Sequence, residues 1–285
     1  MNPPSTLRTL LVLGRVSNVP TVWSNCLAGW LLGGGDQWLR FALLCAGATL
    51  LYVGGMYLND AFDAAFDAQH RRERPIPSGA IAPKTVWQIG IFLLVGGIAL
   101  LVPLGFTTAF LSILLAASIL VYDAVHKLIT FSPLLMALCR LLLYLTAASA
   151  AVTGVTGLAM WSALALACYI MGLSYLARKE ATGVIIQRWP QLLLAVPVLL
   201  ALLVNDGSSR ETALLAAAIL VLWALRSLRS VWTEPRNVSR AVSGLLAGIV
   251  WVDFLAVADQ PRVIGAAFIA FFLLALGFQR FVPAT

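Results

Sequence analysis

The most polar stretch of the chain reads Asn59-Asp60-Ala61-Phe62-Asp63-Ala64-Ala65-Phe66-Asp67-Ala68-Gln69-His70-Arg71-Arg72-Glu73-Arg74-Pro75-Ile76-Pro77-Ser78-Gly79. If a helix runs through its first half, Asn59, Asp60, Asp63 and Asp67 fall at i, i+1, i+4 and i+8 and share one face. Three carboxylates crowded on one face repel one another and call for a cation between them. Oxygen-only donors suit Mg²⁺, which keeps several waters and shares its shell with substrate phosphates. Arg71, Arg72 and Arg74 follow directly, and their forked donors match phosphate oxygens. An acidic cluster followed by a basic one is what a metal-bridged lipid diphosphate requires. The plainer alternative is an ordinary charged loop beside a membrane. The helical register and the rigid Arg74-Pro75-Ile76-Pro77-Ser78-Gly79 ending weigh against it.

The elements that must position these groups are set by composition. Of the 285 residues, 61% are hydrophobic and 11% charged, and the mean hydropathy is +0.92. Too few charges are present to build a water-facing surface, so the bilayer is the expected solvent. Backbone polar groups in lipid must be satisfied within the segment or in a closed barrel, and the long continuous apolar stretches lack barrel alternation. The expected fold is therefore all-α, a polytopic membrane bundle in one domain over 1–285. Candidate spans are 18–34, 41–59, 85–103, 107–122, 132–153, 157–176, 190–204, 211–231, 239–257 and 262–280. Met1 to Ser17 has no apolar core followed by a small-residue cleavage site, so no removable signal peptide is expected. Fifteen Lys and Arg fall on the side of the long polar loops and three, Arg40, Arg210 and Arg262, on the other. The positive-inside rule then puts both termini in the cytoplasm. The net charge of +7 suits loops near anionic lipid, and no basic run has interleaved aromatics, which excludes nucleic acid as a partner. Cys26, Cys45, Cys139 and Cys168 all lie in apolar stretches without zinc-site spacing and read as packing residues.

Two charges lie well within spans, away from their ends: Arg140 in the fifth and Asp253 in the ninth. Both must face the bundle interior or water, paired with each other or with Asp123, or with Arg140 on a phosphate. Arg15, Ser17, Asn18, Thr21 and Asn25 form a polar stripe at helical spacing near the first span.

The Asn59-Asp60-x-x-Asp63-x-x-x-Asp67 run with its Arg-Pro-Ile-Pro-Ser-Gly ending resembles the first aspartate motif of the UbiA superfamily of intramembrane prenyltransferases. The resemblance implies a core of nine helices, here followed by a tenth C-terminal span. It implies that Asn59, Asp60, Asp63 and Asp67 hold Mg²⁺ on a membrane-borne isoprenyl diphosphate whose allylic C–O bond ionises, with Arg71, Arg72 and Arg74 on the phosphates. Asn18, on the helix bordering the cavity in similar proteins, joins the substrate-binding set with Arg140. Family members carry a Tyr with a Lys four residues on, near the diphosphate; here His126 sits at that offset and Lys127 one beyond, so Tyr122 and Lys127 carry over approximately, and His126 reads as an interfacial polar residue. A second aspartate motif is expected after the sixth span. This chain reads Ser174-Tyr175-Leu176-Ala177-Arg178-Lys179-Glu180-Ala181-Thr182-Gly183 there, leaving Glu180 as the acidic group and Arg178 and Lys179 as cations able to neutralise phosphate. These departures make the chain most similar to the UbiA-type proteins of the bacterial ebo cluster. The implied activity is transfer of an isoprenyl group to an unidentified acceptor, in a bacterial inner membrane. The alternatives are a non-catalytic lipid-phosphate binder or transporter on the same scaffold, and a prenyl-phosphate phosphatase or cyclase-like activity.

Overall fold

The computed structural model describes residues 6–180, 189–207 and 209–284, apart from the side chains of Lys179 and Glu180. All regular structure among them is helical: α1 (Thr6–Leu13), α2 (Val19–Leu32), α3 (Trp38–His70), α4 (Pro83–Leu101), α5 (Phe106–Val125), α6 (Ser132–Ser149), α7 (Gly157–Glu180), α8 (Trp189–Leu192), α9 (Val196–Val204), α10 (Ser209–Trp232), α11 (Val238–Ala256) and α12 (Arg262–Gln279), with 3₁₀ turns at Val16–Asn18, Val102–Leu104 and Leu193–Ala195. Every candidate span has its helix. Eight of these helices, α3 to α7 and α10 to α12, are long and apolar enough to cross a membrane. The protein is an integral membrane bundle.

The other two candidate spans are shorter than a full crossing needs. The first, expected over 18–34, is the 14-residue α2, with Pro20 in its first turn and Gly33 at its C-cap; the chain then turns at Gly34, whose φ is +73°. The span expected over 190–204 is a shorter apolar segment, Trp189–Val204, interrupted by a 3₁₀ turn at Leu193–Ala195 ahead of Pro197. Proline supplies no N–H to the helical ladder, so it sits naturally in the first turn after the break.

α3 departs from expectation in the other direction. It continues past the expected end at residue 59 to His70, 33 residues in all. No proline interrupts it before Pro75, and it stops where Arg71 N–H donates to the Asp67 carbonyl at 2.8 Å. This extension keeps the acidic residues on one rigid element. α3 packs closely on α4 through small residues: a methyl on Gly54 would sit 2.9 Å from the Gly90 carbonyl. Such close backbone approach is how helices associate in lipid, where apolar burial gives no net drive. The outward surface is apolar, with Phe92, Phe106 and Leu203 exposed by 75%, 89% and 84%, as a lipid-facing surface requires.

Candidate functional site

The C-terminal third of α3 presents Asn59, Asp60, Asp63 and Asp67 inward, all 1–7% exposed. The shared face expected from their spacing is present. The three carboxylates of this row meet cations from three other segments. Arg15, between α1 and α2, donates through Nη2 to Asn59 Oδ1 at 3.2 Å and Asp60 Oδ1 at 3.3 Å. Arg74, in the turn after α3, bridges Asp60 Oδ1 at 3.0 Å and Asp67 Oδ2 at 3.2 Å. Lys127, just past α5, places Nζ 2.6 Å from Asp63 Oδ1 and 3.9 Å above the centre of the Phe66 ring. Arg15 adopts a left-handed backbone, φ 41°, unusual for a residue with a Cβ; the Tyr52 hydroxyl donates to its carbonyl at 3.3 Å. Burial disfavours the Arg15 cation, but Asp60 and the other negative groups around it outweigh that and raise its pKa above the ordinary value.

α5 contributes more than Lys127. Tyr122 stacks on His126, ring centres 5.0 Å apart, and His126 Nε2 lies 3.5 Å from Asp63 Oδ1. His126 therefore faces the acidic row, where its membrane-edge position alone suggested a bystander. Asp123 is 3% exposed and accepts a hydrogen bond from Asn59 Nδ2 at 3.0 Å. Sequence reasoning weighed Asp123 only as a partner for Arg140; the Tyr122-Asp123 position, one helix-end residue from the expected Tyr, was the available signal. Arg15 was visible as the head of a polar stripe, with nothing to tie it to Asp60.

Several expected site residues are engaged elsewhere. Arg71 and Arg72 are exposed, and Arg72 Nε donates to the Ala68 carbonyl at 3.3 Å; the chain turns after α3 so that only Arg74 folds back. Arg140 is neither on the acidic row nor paired directly with Asp253. It donates to Asn25 Oδ1 at 2.6 Å and Thr21 Oγ1 at 3.1 Å, and Asn25 Nδ2 in turn donates to Asp253 at 2.7–2.9 Å. Ser24 Oγ completes the network on Asp253 at 2.5 Å. Asn18 Nδ2 donates to the Ala284 carbonyl at 2.9 Å. Arg178 binds the Ile129 carbonyl and Ser132 Oγ at 2.7 Å, tying the end of α7 to the loop that carries Lys127. The side chains of Lys179 and Glu180, and the 181–188 stretch, lie outside the described residues.

The donor set suits a hard divalent cation. It is all oxygen, and two of its buried atoms, Asp67 Oδ1 and Asp123 Oδ2, have no hydrogen-bond partner among the described residues. In the arrangement seen, no three Asp, Glu, His or Cys side chains among the described residues enclose a metal position; the carboxylates are ion-paired with Arg15, Arg74 and Lys127. A ligand bearing phosphate oxygens is the kind of group onto which those cations could turn.

Residues 17–249 match the model of the UbiA prenyltransferase family. The chain belongs to this family. Among similar proteins, a digeranylgeranylglyceryl phosphate synthase of Methanothrix thermoacetophila is 38% identical over 89 residues, 30% of this chain and 33% of that one. A 4-hydroxybenzoate octaprenyltransferase of Cupriavidus metallidurans is 33% identical over 99 residues, 34% of this chain and 33% of that one. The chain thus spans about a third of the length of the curated relatives it matches. In three dimensions a UbiA homologue from Aeropyrum pernix superposes with a TM-score of 0.68 at 18% identity, covering 84% of this chain and 97% of that one. One from Archaeoglobus fulgidus bound to DMAPP and Mg²⁺ gives 0.56 at 15% identity, covering 94% and 98%. At these identities the structural likeness establishes the fold.

Proposed function

We propose that this UbiA-family protein transfers an isoprenyl group from a membrane-borne isoprenyl diphosphate to an acceptor, with Mg²⁺ as cofactor, through one domain spanning 1–285. The observation that carries this reading is the row of Asp60, Asp63 and Asp67 interleaved with Arg15, Arg74 and Lys127, cations that three separate segments bring to one end of the bundle. A surface salt-bridge patch would not bury its carboxylates below a tenth exposure.

In this reading Asn59, Asp60, Asp63 and Asp67 hold Mg²⁺, joined from the altered second motif by Glu180. Bound there, the ion neutralises diphosphate charge and favours its departure. Arg15, Arg74 and Lys127 donate to phosphate oxygens and stabilise the leaving group as the allylic C–O bond breaks and its electron pair passes to the diphosphate. The apolar bundle excludes water from the allylic cation. The acceptor then forms the new bond and releases a proton. Tyr122, buried against His126, borders this site. Arg178 contributes by holding the Lys127 loop, and Lys179 is proposed from its sequence position to neutralise phosphate charge. The cations in place of a second acidic motif support a divergent branch similar to the UbiA-type proteins of the ebo cluster. The DMAPP- and Mg²⁺-bound homologue supports the donor class. A bacterial inner membrane is the proposed location.

The test is incubation of the purified protein in nanodiscs with labelled geranyl and geranylgeranyl diphosphates, with and without Mg²⁺. Mg²⁺-dependent diphosphate release, lost in Asp63→Ala while the variant still folds, is the expected result. Binding without release would turn the assignment to a non-catalytic lipid-phosphate protein.

A further inference from the structure

We infer that Asp123 is an additional metal-ligating carboxylate of this site, taking a divalent cation together with the Asp60–Asp67 row. The inference rests on the diphosphate reading above and concerns a residue that neither aspartate motif contains.

The geometry is specific. Asp123 comes from α5, not α3, yet its Oδ1 accepts from Asn59 Nδ2 at 3.0 Å, and Asn59 Oδ1 accepts from Arg15 Nη2 at 3.2 Å. Asn59 is thus clamped between a cation and Asp123, which fixes the Asp123 carboxylate against the first residue of the row. The other oxygen, Oδ2, is buried with no hydrogen-bond partner among the described residues. Asp60, Asp63 and Asp67 each have a Lys or Arg within 3.3 Å, whereas no cation among the described residues pairs with Asp123. The nearby His126 directs Nδ1 toward the Tyr122 and Asp123 backbone carbonyls and Nε2 toward Asp63. A buried carboxylate with one neutral hydrogen bond is strongly unfavourable unless something answers its charge. Arg15, Arg74 and Lys127 are within ion-pair distance of Asp60, Asp63 and Asp67, and Asp123 has no such contact of its own among the described residues.

The end of α7 bears on the need for a carboxylate from α5. Where a second acidic motif is expected, the chain carries Arg178 and Lys179, and the Arg178 guanidinium is committed to Ile129 and Ser132. That end of α7 offers Glu180 as its one carboxylate, and α5 supplies a further anionic oxygen through Asp123. When a diphosphate draws Arg15 and Arg74 toward its own oxygens, Asp123 Oδ2 and Asp67 Oδ1 are the buried oxygens left to face a metal ion.

The test uses the full chain in nanodiscs with Mn²⁺ as a paramagnetic probe, titrated with and without inorganic pyrophosphate. Asp123→Asn keeps an oxygen for the Asn59 bond and removes only the charge. Mn²⁺ affinity should fall by at least about tenfold, and Asp123→Glu should retain more of it than Asp123→Asn. If Asp123→Asn binds Mn²⁺ like the unaltered chain while Asp63→Asn does not, Asp123 only orients Asn59 and the inference is overturned, with the diphosphate reading intact. If neither variant changes Mn²⁺ binding, both fail. Should Asp123→Asn not fold, carbodiimide labelling of the unaltered chain gives a second measurement. Mg²⁺ with pyrophosphate should block modification of Asp123, read by mass spectrometry, and equal modification with and without Mg²⁺ would overturn the inference.

Discussion

Of the three arginines after the acidic row, only Arg74 folds back onto carboxylates, and this separates their effects. Arg74→Gln removes charge-assisted bonds each worth about 1.5–3 kcal/mol, so binding of Mg²⁺–pyrophosphate should weaken by at least about tenfold. Arg72→Gln, whose guanidinium is exposed on the Ala68 carbonyl, should leave it nearly unchanged. Isothermal titration of the two variants measures both, and equal losses would mean that the whole basic run acts as one diffuse charge. The sequence made the acidic row legible because its register is local: once residues 59–67 are helical, their common face follows. The partners were not legible. Arg15 meets Asp60 across 45 residues and Asn59 meets Asp123 across 64, and no local pattern encodes which distant loop arrives. Arg71, Arg72 and Arg74 look alike in sequence because the turn that sorts them depends on how Pro75 and Pro77 fold the chain back.

At the scale of elements, helices were readable to within a few residues wherever glycine or proline punctuates the apolar runs, as at Gly33, Pro83 and Pro133. Length was misjudged where punctuation and hydropathy disagree. α3 runs on through polar residues because nothing breaks it, so an apolar window ends it eleven residues early. The two intramembrane charges illustrate a packing solution that spacing could not specify. α2 supplies Thr21, Ser24 and Asn25 as intermediaries, so Arg140 on α6 and Asp253 on α11 are joined through Asn25. The network staples three helices. Arg140→Met removes the cation from a buried network and should destabilise the protein by about 3–5 kcal/mol. Arg140→Met combined with Asp253→Leu should recover part of that loss, because no uncompensated charge then remains. Thermal unfolding in detergent tests the pair. If the double variant is no more stable than Arg140→Met alone, the two charges are not energetically linked.

The architecture of the whole molecule makes the two faces of the bundle distinguishable by contact as well as by charge. On one face, Arg15 reaches α3, Lys127 reaches Asp63, and Arg178 reaches the loop after α5. The segment after α12 returns to the same face, with Asn18 bound to Ala284. On the other face, Arg40 caps the carbonyls of Leu104 and Ala150, and Thr153 donates to the Gly33 carbonyl, gathering the loops after α2, α4 and α6. Arg15, Lys127 and Arg178, which charge patterning assigned to one side, therefore lie on segments that meet the acidic row or its neighbouring loop, and the Asn18–Ala284 bond brings the two ends of the bundle together on that face. The positive-inside rule predicts that the face with the excess of Lys and Arg meets the cytoplasm. Single cysteines introduced at Glu73 and Glu234 should escape a membrane-impermeant maleimide in intact cells, whereas cysteines at Asp36 and Asp206 should react. Reaction at Glu73 and Glu234 with protection at Asp36 and Asp206 would invert the orientation. Reaction at Glu234 alone would mean that the short segment Trp189–Val204 does not complete a crossing, since every later helix would then change side while the acidic row stayed in place.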